Sequence, residues 1–456
     1  MQTSVLQSEK TAPLFSRNDL VKLIVPLVIE QFLMMSVGMA DTVMVTSAGE
    51  AAVSGVSLVD NINLLLIQIF AALATGGTVI VSQYLGRQEV HNARKAAKQL
   101  LYTVTAVSML LMGFALIFRE HILSLIFGNI EPDVMDSALV YFLSTALSYP
   151  FIAIYNAGAA LFRALGNSKI SMFNSLIMNV VNITVNAVLI YGFHMGALGA
   201  GIGTLSSRMV ASVVILILLQ QHTNPLRVEG LFHPEFHGGM VKRILTVGIP
   251  NGLENGMFQV GKILVLSLVT SFGTNAVAAN AISGSVASVL NVPGQAIGLA
   301  MITVVGRCMG GREIEQAQKY TKKLMALTYL SMGVMCLLLL ILAGRLVSLF
   351  NLSASSAEMA EEVLRWCAVF TMFFWPPSFT LPNSLRASGD VIYPMVVSLA
   401  SMFICRIGFS YLLASPWGLH MQLLGVWIAM FLDWIVRDIA FIIRYLRGKW
   451  KKINVI

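Results

Sequence analysis

A run of about 20 mainly apolar residues is long enough to cross a ~30 Å hydrocarbon core as a helix. This chain contains twelve of them, near residues 20–45, 53–82, 99–118, 135–161, 170–191, 197–220, 244–269, 277–305, 324–344, 363–384, 391–414 and 423–446. In lipid the backbone amides must be satisfied without water, which leaves helices or a closed barrel. The runs are long and do not alternate apolar with polar residues, so helices are expected. Charged residues make up 11 % of the sequence, against ~25 % in soluble domains. That is too few to clothe a water-facing surface, so most of the surface is expected to meet membrane lipid.

The charges that remain are placed unevenly. Alternate connections, together with both ends of the chain, hold 23 of the 30 lysines and arginines, whereas the intervening connections hold only Arg119 and Arg345. The bias of basic residues toward the cytoplasm then predicts a multi-pass protein of the cytoplasmic membrane with both termini inside. It also removes the nucleic-acid reading of the +8 net charge, because the cations sit at membrane edges and form no patch. Ser16-Arg17-Asn18-Asp19 opens the first run with a capping residue, so that run is expected to stay in the protein as a span rather than be cleaved. Cys308, Cys336, Cys367 and Cys405 are too scattered for a disulfide framework or a thiolate metal site.

The two halves repeat. At an interval of 224, Pro26 meets Pro250, Glu30 meets Glu254, Thr46-Ser47 meets Thr270-Ser271, Gly49 meets Gly273 and Gly86 meets Gly310. At 223, Arg163-Ala164 meets Arg386-Ala387. Six spans per repeat is an even number, so both halves enter the membrane in the same sense. The expected fold is an all-α integral membrane protein with twelve transmembrane helices in two six-helix bundles related by a pseudo-two-fold along the membrane normal. Residues 1–221 form the first bundle and 244–456 the second with its basic tail. The polar stretch 222–243, with His222, Pro225, His233, Pro234 and His237, is the cytoplasmic linker. Two homologous bundles leave a cleft between them, the geometry that a transporter needs.

An ionisable group deep in the bilayer costs several kcal/mol, about 2.5–3.5 on insertion scales, and marks a site or a partner. Glu30 and Asp41 are eleven residues apart, about three turns plus 20°, so they share one face of the first span ~16 Å apart. Glu30 has the repeat mate Glu254, and a shared position suggests a shared place lining the substrate cavity. Asp41 aligns with Val265 and acts alone. A coupling cation needs a charged oxygen with polar neighbours, and the fifth span offers Asn182 and Asn186, one turn apart. The seventh span adds Gln259 and Lys262, and the second adds Asp60; with Glu30 and Glu254 these are the cavity candidates. Lys262 either pairs with Glu254 or faces an anionic or zwitterionic substrate. Asp433 and Arg437, one turn apart, are expected to neutralise each other, and Arg208 and Arg406 to find Asp60 or Asp438.

Several stretches resemble the multidrug and toxic compound extrusion (MATE) family: Met39-Ala-Asp41-Thr-Val-Met-Val45, Phe162-Arg-Ala-Leu-Gly-Asn-Ser-Lys169, Asn179-Val-Val-Asn182-Ile-Thr-Val-Asn186 and Gly196-Ala-Leu-Gly-Ala-Gly-Ile-Gly203, with Gly-Arg and Gly-Gly turns after the second and eighth spans. The resemblance runs along the whole chain. It implies two bundles in a V and an antiporter that exports small organic molecules by alternating access in exchange for H+ or Na+. It places the coupling acid at Asp41 with polar partners at Asn182 and Asn186. Some relatives carry an aspartate where Asn186 stands, so the site here has one acid fewer. In cation-coupled relatives the seventh-span acid lies nearer Gln259, which here is an amide followed by a lysine. A related alternative is a flippase for a lipid-linked saccharide or another anionic amphiphile, which wants a cationic cavity. The chain has no Gly-x-Ser-x-Gly elbow, no phosphate-binding Gly-x-x-x-x-Gly-Lys loop and no paired acids at metal spacing, so no enzyme, cofactor or metal is expected. Nothing in it calls for more than a monomer.

Overall fold

The computed structural model describes residues 13–128, 131–231, 235–350, 352–415, 418–453 and 455–456; Lys10 of the basic terminus and His233 and Pro234 of the linker lie outside them. Seven helices form the first bundle: α1 (Arg17–Thr46), α2 (Glu50–Gly86), α3 (Val90–Phe127), α4 (Pro132–Leu147), α5 (Tyr149–Ala164), α6 (Ser168–Ala187) and α7 (Gly196–Gln220). Eight form the second: α8 (Gly238–Thr270), α9 (Thr274–Gly310), α10 (Ile314–Ser348), α11 (Ala354–Trp375), α12 (Leu381–Ser388), α13 (Ile392–Ser401), α14 (Phe409–Ala414) and α15 (Gln422–Leu446). These fifteen pieces make the twelve expected spans. The helices α4 and α5 are one span bent by 46° at Ser148. A π turn over Pro376–Thr380 joins α11 to α12, and another over Met402–Gly408 joins α13 to α14.

Among the described residues eight helical stretches are apolar and long enough to cross a membrane by composition alone, and the bent pair makes a ninth. The other three spans carry charge within their length: Glu254 and Lys262 on α8, Glu361 and Arg365 on α11, Asp433, Arg437 and Asp438 on α15. Apolar side chains such as Leu125 (87 % exposed) and Ile341 (78 %) stand on the outer surface, where a soluble fold would place polar ones. The helix α8 starts at Gly238, so the last six residues of the expected linker are helical. The rest of the linker runs beside α3: Gln99 Nε2 donates to the Glu235 carbonyl (2.5 Å) and Tyr102 donates to the Leu231 carbonyl (2.8 Å).

The bundles meet where the basic connections gather, through α1, α2, α8 and α9. Small residues allow the approach. A Cβ on Gly76 of α2 would lie 2.6 Å from the Ile244 carbonyl of α8. Further along, a Cβ on Gly86 would overlap the Arg307 carbonyl of α9, and one on Gly310 the Gln83 carbonyl of α2. Beyond the contact of Leu65 with Gly256, residues 31–43 of α1 and all but Gly261 of residues 255–267 of α8 are at least partly accessible, whichever way they point around the helix. A cleft therefore opens away from the basic face.

One contact recurs in both repeats across that closed end. Gln83 Nε2 of the first bundle donates to the Ala387 carbonyl of the second (2.8 Å). Arg307 of the second bundle donates to the Ala164 carbonyl of the first, through Nε (3.0 Å) and Nη2 (2.6 Å). The segment just before α1 and the last described residues also reach the opposite bundle. Phe15 exchanges two hydrogen bonds with the Tyr320 hydroxyl, which accepts from the Phe15 amide at 3.0 Å and donates to its carbonyl at 2.8 Å. Val455 and Ile456 pack on the first bundle, where Arg87 Nη2 donates to the Ile456 backbone oxygen at 3.0 Å.

Candidate functional site

The three residues expected to form the coupling site come together. Asn186 Nδ2 donates to Asp41 Oδ1 at 2.6 Å and to Asn182 Oδ1 at 3.3 Å, so α1 and α6 share one carboxylate–amide chain. Both asparagines are buried while Asp41 is half-buried. A glycine holds the geometry: a Cβ on Gly203 of α7 would overlap the Asn186 amide oxygen. That oxygen and Asn179 Oδ1 are buried with no hydrogen-bond donor. The Asn186 oxygen belongs to the side chain that holds the Asp41 carboxylate, and a carboxylate with an amide oxygen nearby is the hard-ligand chemistry a small cation takes. Asn179 lies nearly two turns earlier on α6, where its Nδ2 donates to the Leu33 carbonyl at 2.9 Å.

Asp60 joins the same polar region from α2. Tyr141 donates to its Oδ1 at 2.9 Å and Asn63 Nδ2 at 3.3 Å, while Tyr149 donates to Asn63 Oδ1 at 3.0 Å. Arg208 on α7 is the cation of this region. Its charge acts on both Asp41 and Asp60, but its hydrogen bond goes to Ser148 Oγ (2.7 Å), at the bend between α4 and α5. The expectation that Arg208 pairs with a carboxylate is corrected to this extent. Tyr141, Tyr149, Ser148 and Gly203 are additions that sequence reasoning missed. Only the glycine-rich run from Gly196 to Gly203 signalled one of them, since four glycines in eight residues imply close approach.

Glu30 and Glu254 occupy equivalent places, but not the open cavity they were expected to line. They are 1 % and 6 % exposed. Arg163 Nη1 lies 3.3 Å from Glu30 Oε1 and Ser171 donates to Oε2 at 2.6 Å. In the second bundle Arg386 Nη2 lies 2.6 Å from Glu254 Oε2, Ser398 donates to Oε1 at 2.7 Å, and Arg437 adds a contact at 3.5 Å. An inaccessible carboxylate held by an arginine and a serine ties its helix to two neighbours. Arg163 and Arg386 are thus not loop cations; they end α5 and α12 and turn inward.

The same contacts correct two pairings. Lys262 does not pair with Glu254, which belongs to Arg386 and Arg437. Asp433 and Arg437 do not neutralise each other either. Asp433 accepts from Ser401 (2.6 Å) and lies 4.0 Å from Arg406, while Arg437 turns to Glu254. Lys262 is exposed, with Nζ 5.2 Å from the centre of the Phe258 ring, and Gln259 is half-buried beside it.

The MatE family profile matches residues 26–188 and again residues 250–412. The chain belongs to the MATE family. It is a transporter and not an enzyme. The two matched stretches are separated by the interval of 224 that relates the repeats. Among curated relatives it is 27 % identical over 444 residues to "Probable multidrug resistance protein NorM" of Thermotoga maritima, covering 96 % of this chain and 93 % of that one. It is 26 % identical to a Bacillus subtilis transporter, YisQ, over 97 % of this chain and 96 % of that one. A solved outward-facing multidrug resistance MATE transporter superposes with a TM-score of 0.87 over 96 % of each chain at 19 % identity, which fixes the fold. MATE architecture accounts for twelve helices, two bundles and a cleft between them.

Proposed function

We propose that this MATE transporter exports small amphipathic organic molecules, cationic ones among them, in exchange for H+ or Na+ by alternating access. The observation that carries the coupling assignment is the chain Asp41–Asn186–Asn182, half-buried at the carboxylate and with one unpartnered amide oxygen, that of Asn186. A cation entering from the open cleft meets the Asp41 carboxylate in an oxygen-rich setting, with Asp60 in the same polar region and the Arg208 charge acting on both acids. Proton binding at Asp41 would leave the two amides in place, and Na+ would draw on their oxygens as well as on the carboxylate.

The cleft is open on the face away from the basic connections. With those connections in the cytoplasm, this is an outward-open state of a protein of the cytoplasmic membrane with both termini inside. The bundles divide at the segment between Gln220 and Gly238, and one chain supplies a whole cleft, so a monomer suffices. Asp60 with Tyr141 and Asn63, and Gln259 with Lys262, border that cleft as the polar contacts for substrate. No resident cofactor is needed, because the inward ion gradient supplies the driving force.

Ethidium efflux from cells expressing the wild type and Asp41→Asn, with and without a protonophore and with and without Na+, tests this reading. The expected result is gradient-dependent efflux in the wild type, sensitive to one of the two treatments and absent in the mutant at equal membrane level. Normal efflux by Asp41→Asn would remove the coupling role.

A further inference from the structure

The two bundles differ in interior charge. Glu30, Asp41 and Asp60 outnumber Arg163 and Arg208 in the first, whereas Lys262, Arg386, Arg406 and Arg437 outnumber Glu254, Asp433 and Asp438 in the second. In the second bundle Glu254 is committed to Arg386 and Arg437, and Arg437 lies over the Phe379 ring at 4.5 Å. Two cations remain on one aromatic ring. Lys262 Nζ is 5.2 Å and the Arg406 guanidinium carbon 4.7 Å from the centre of Phe258. Glu254, Phe258 and Lys262 recur every four residues, so they form one stripe of α8.

Arg406 is only 9 % exposed, yet its Nε and Nη1 donate no hydrogen bond. Its nearest carboxylate, Asp433, is 4.0 Å away and accepts instead from Ser401. Lys262 makes no ion pair among the described residues. Its ammonium lies back over Phe258, the residue one turn earlier on α8. In the repeat Lys262 takes the position of Gly38, three residues from Asp41. It therefore stands within ~5 Å of the depth of Asp41 on the opposing wall of the cleft.

We propose that Lys262, Arg406 and Phe258 form an oxyanion subsite on the wall of the second bundle, taking the carboxylate of amphiphiles with an aromatic body. The ring of the ligand stacks in the Phe258–Phe379 region, where the two rings already meet edge to face at 6.2 Å. Its carboxylate reaches Lys262 first, with Arg406 adding a second positive charge behind the same ring. Zwitterionic molecules would span the cleft, their cationic end toward Asp41 and Asp60. The subsite rests on the export reading only in that both use the same cleft.

The test uses full-length protein in lipid nanodiscs and two probes, a rhodamine with a free carboxylate and its methyl ester, read by fluorescence anisotropy. Wild type is expected to bind the acid at least about tenfold more tightly than the ester, the scale of one charge-assisted contact. Lys262→Met should bring the acid-to-ester ratio close to one through loss of acid affinity, and Lys262→Arg should keep the ratio. Equal affinities in wild type, no binding of either dye, or a ratio unchanged in Lys262→Met would overturn the subsite. Efflux of the same dyes from proteoliposomes separates the two proposals. Acid-selective binding without export counts against the transport reading alone, and export without acid selectivity counts against the subsite alone.

Discussion

Gln83 and Arg307 hold the same position in the two repeats and close the same gap from opposite sides. Each donates to a carbonyl in the last turn of a helix in the other bundle, Gln83 to Ala387 and Arg307 to Ala164. The pseudo-symmetry of the chain thus becomes a reciprocal clasp, neutral on one side and charged on the other.

That difference sets an order. A hydrogen bond from a charged group contributes about 1.5–3 kcal/mol and a neutral one about 0.5–1.5. Arg307→Met is therefore expected to loosen the basic face more than Gln83→Leu. Hydrogen exchange should rise around Ala164 in the first variant and around Ala387 in the second, with the larger rise in the first. Unchanged exchange in Arg307→Met would show that the clasp does not hold the closed end.

Burial predicts an asymmetry between the glutamates. Glu254→Gln leaves two buried arginines, Arg386 and Arg437, short of a counter-charge, whereas Glu30→Gln strands only Arg163. Breaking a buried pair from one side costs about 3–5 kcal/mol. Thermal unfolding of the purified variants should show the larger loss for Glu254→Gln, and the double change Glu30→Gln with Arg163→Gln should recover part of the loss of Glu30→Gln. Equal losses would mean that Arg437 adds nothing to the second clasp.

The coupling chain can be disturbed without touching Asp41. Gly203→Ala places a methyl group where the Asn186 amide oxygen lies, forcing the amide away from Asp41. Loss of a hydrogen bond to a carboxylate, about 1.5–3 kcal/mol, corresponds to roughly a tenfold or greater loss of ion affinity. Gradient-driven efflux should fall accordingly at unchanged membrane level. Gly113→Ala, whose added methyl meets nothing, should behave as wild type.

Much of the layout was legible because lipid imposes strong rules on sequence. Twelve apolar runs and the asymmetry of the basic connections needed only length and sign. Asp41, Asn182 and Asn186 were also legible, since polar groups at one-turn spacing in apolar spans have few reasons to be there. The pairings were harder. Glu30 with Glu254 and Arg163 with Arg386 were visible as two separate repeats, at 224 and 223, but nothing linear says that each glutamate is folded onto its own arginine. Asp433 and Arg437 failed for the converse reason. One-turn spacing lets two side chains meet, but α13, its π turn and α8 offered Ser401, Arg406 and Glu254 at better positions. Tyr141 and Tyr149 gave no signal, because a tyrosine in an apolar helix looks the same whether its hydroxyl meets lipid headgroups or Asp60.

The crossings at Gly86 and Gly310 have a mechanical consequence. There the helices touch backbone to backbone, with no side chain between them that could change rotamer and take up slack. Such a joint has little elasticity: it is seated or it is not. A distance measured across the basic face of single molecules should therefore switch between two levels, dwelling in each, in place of a continuous drift. The transporter would advance by clicks, and heat or substrate would change how long each click is held while leaving the size of the step alone.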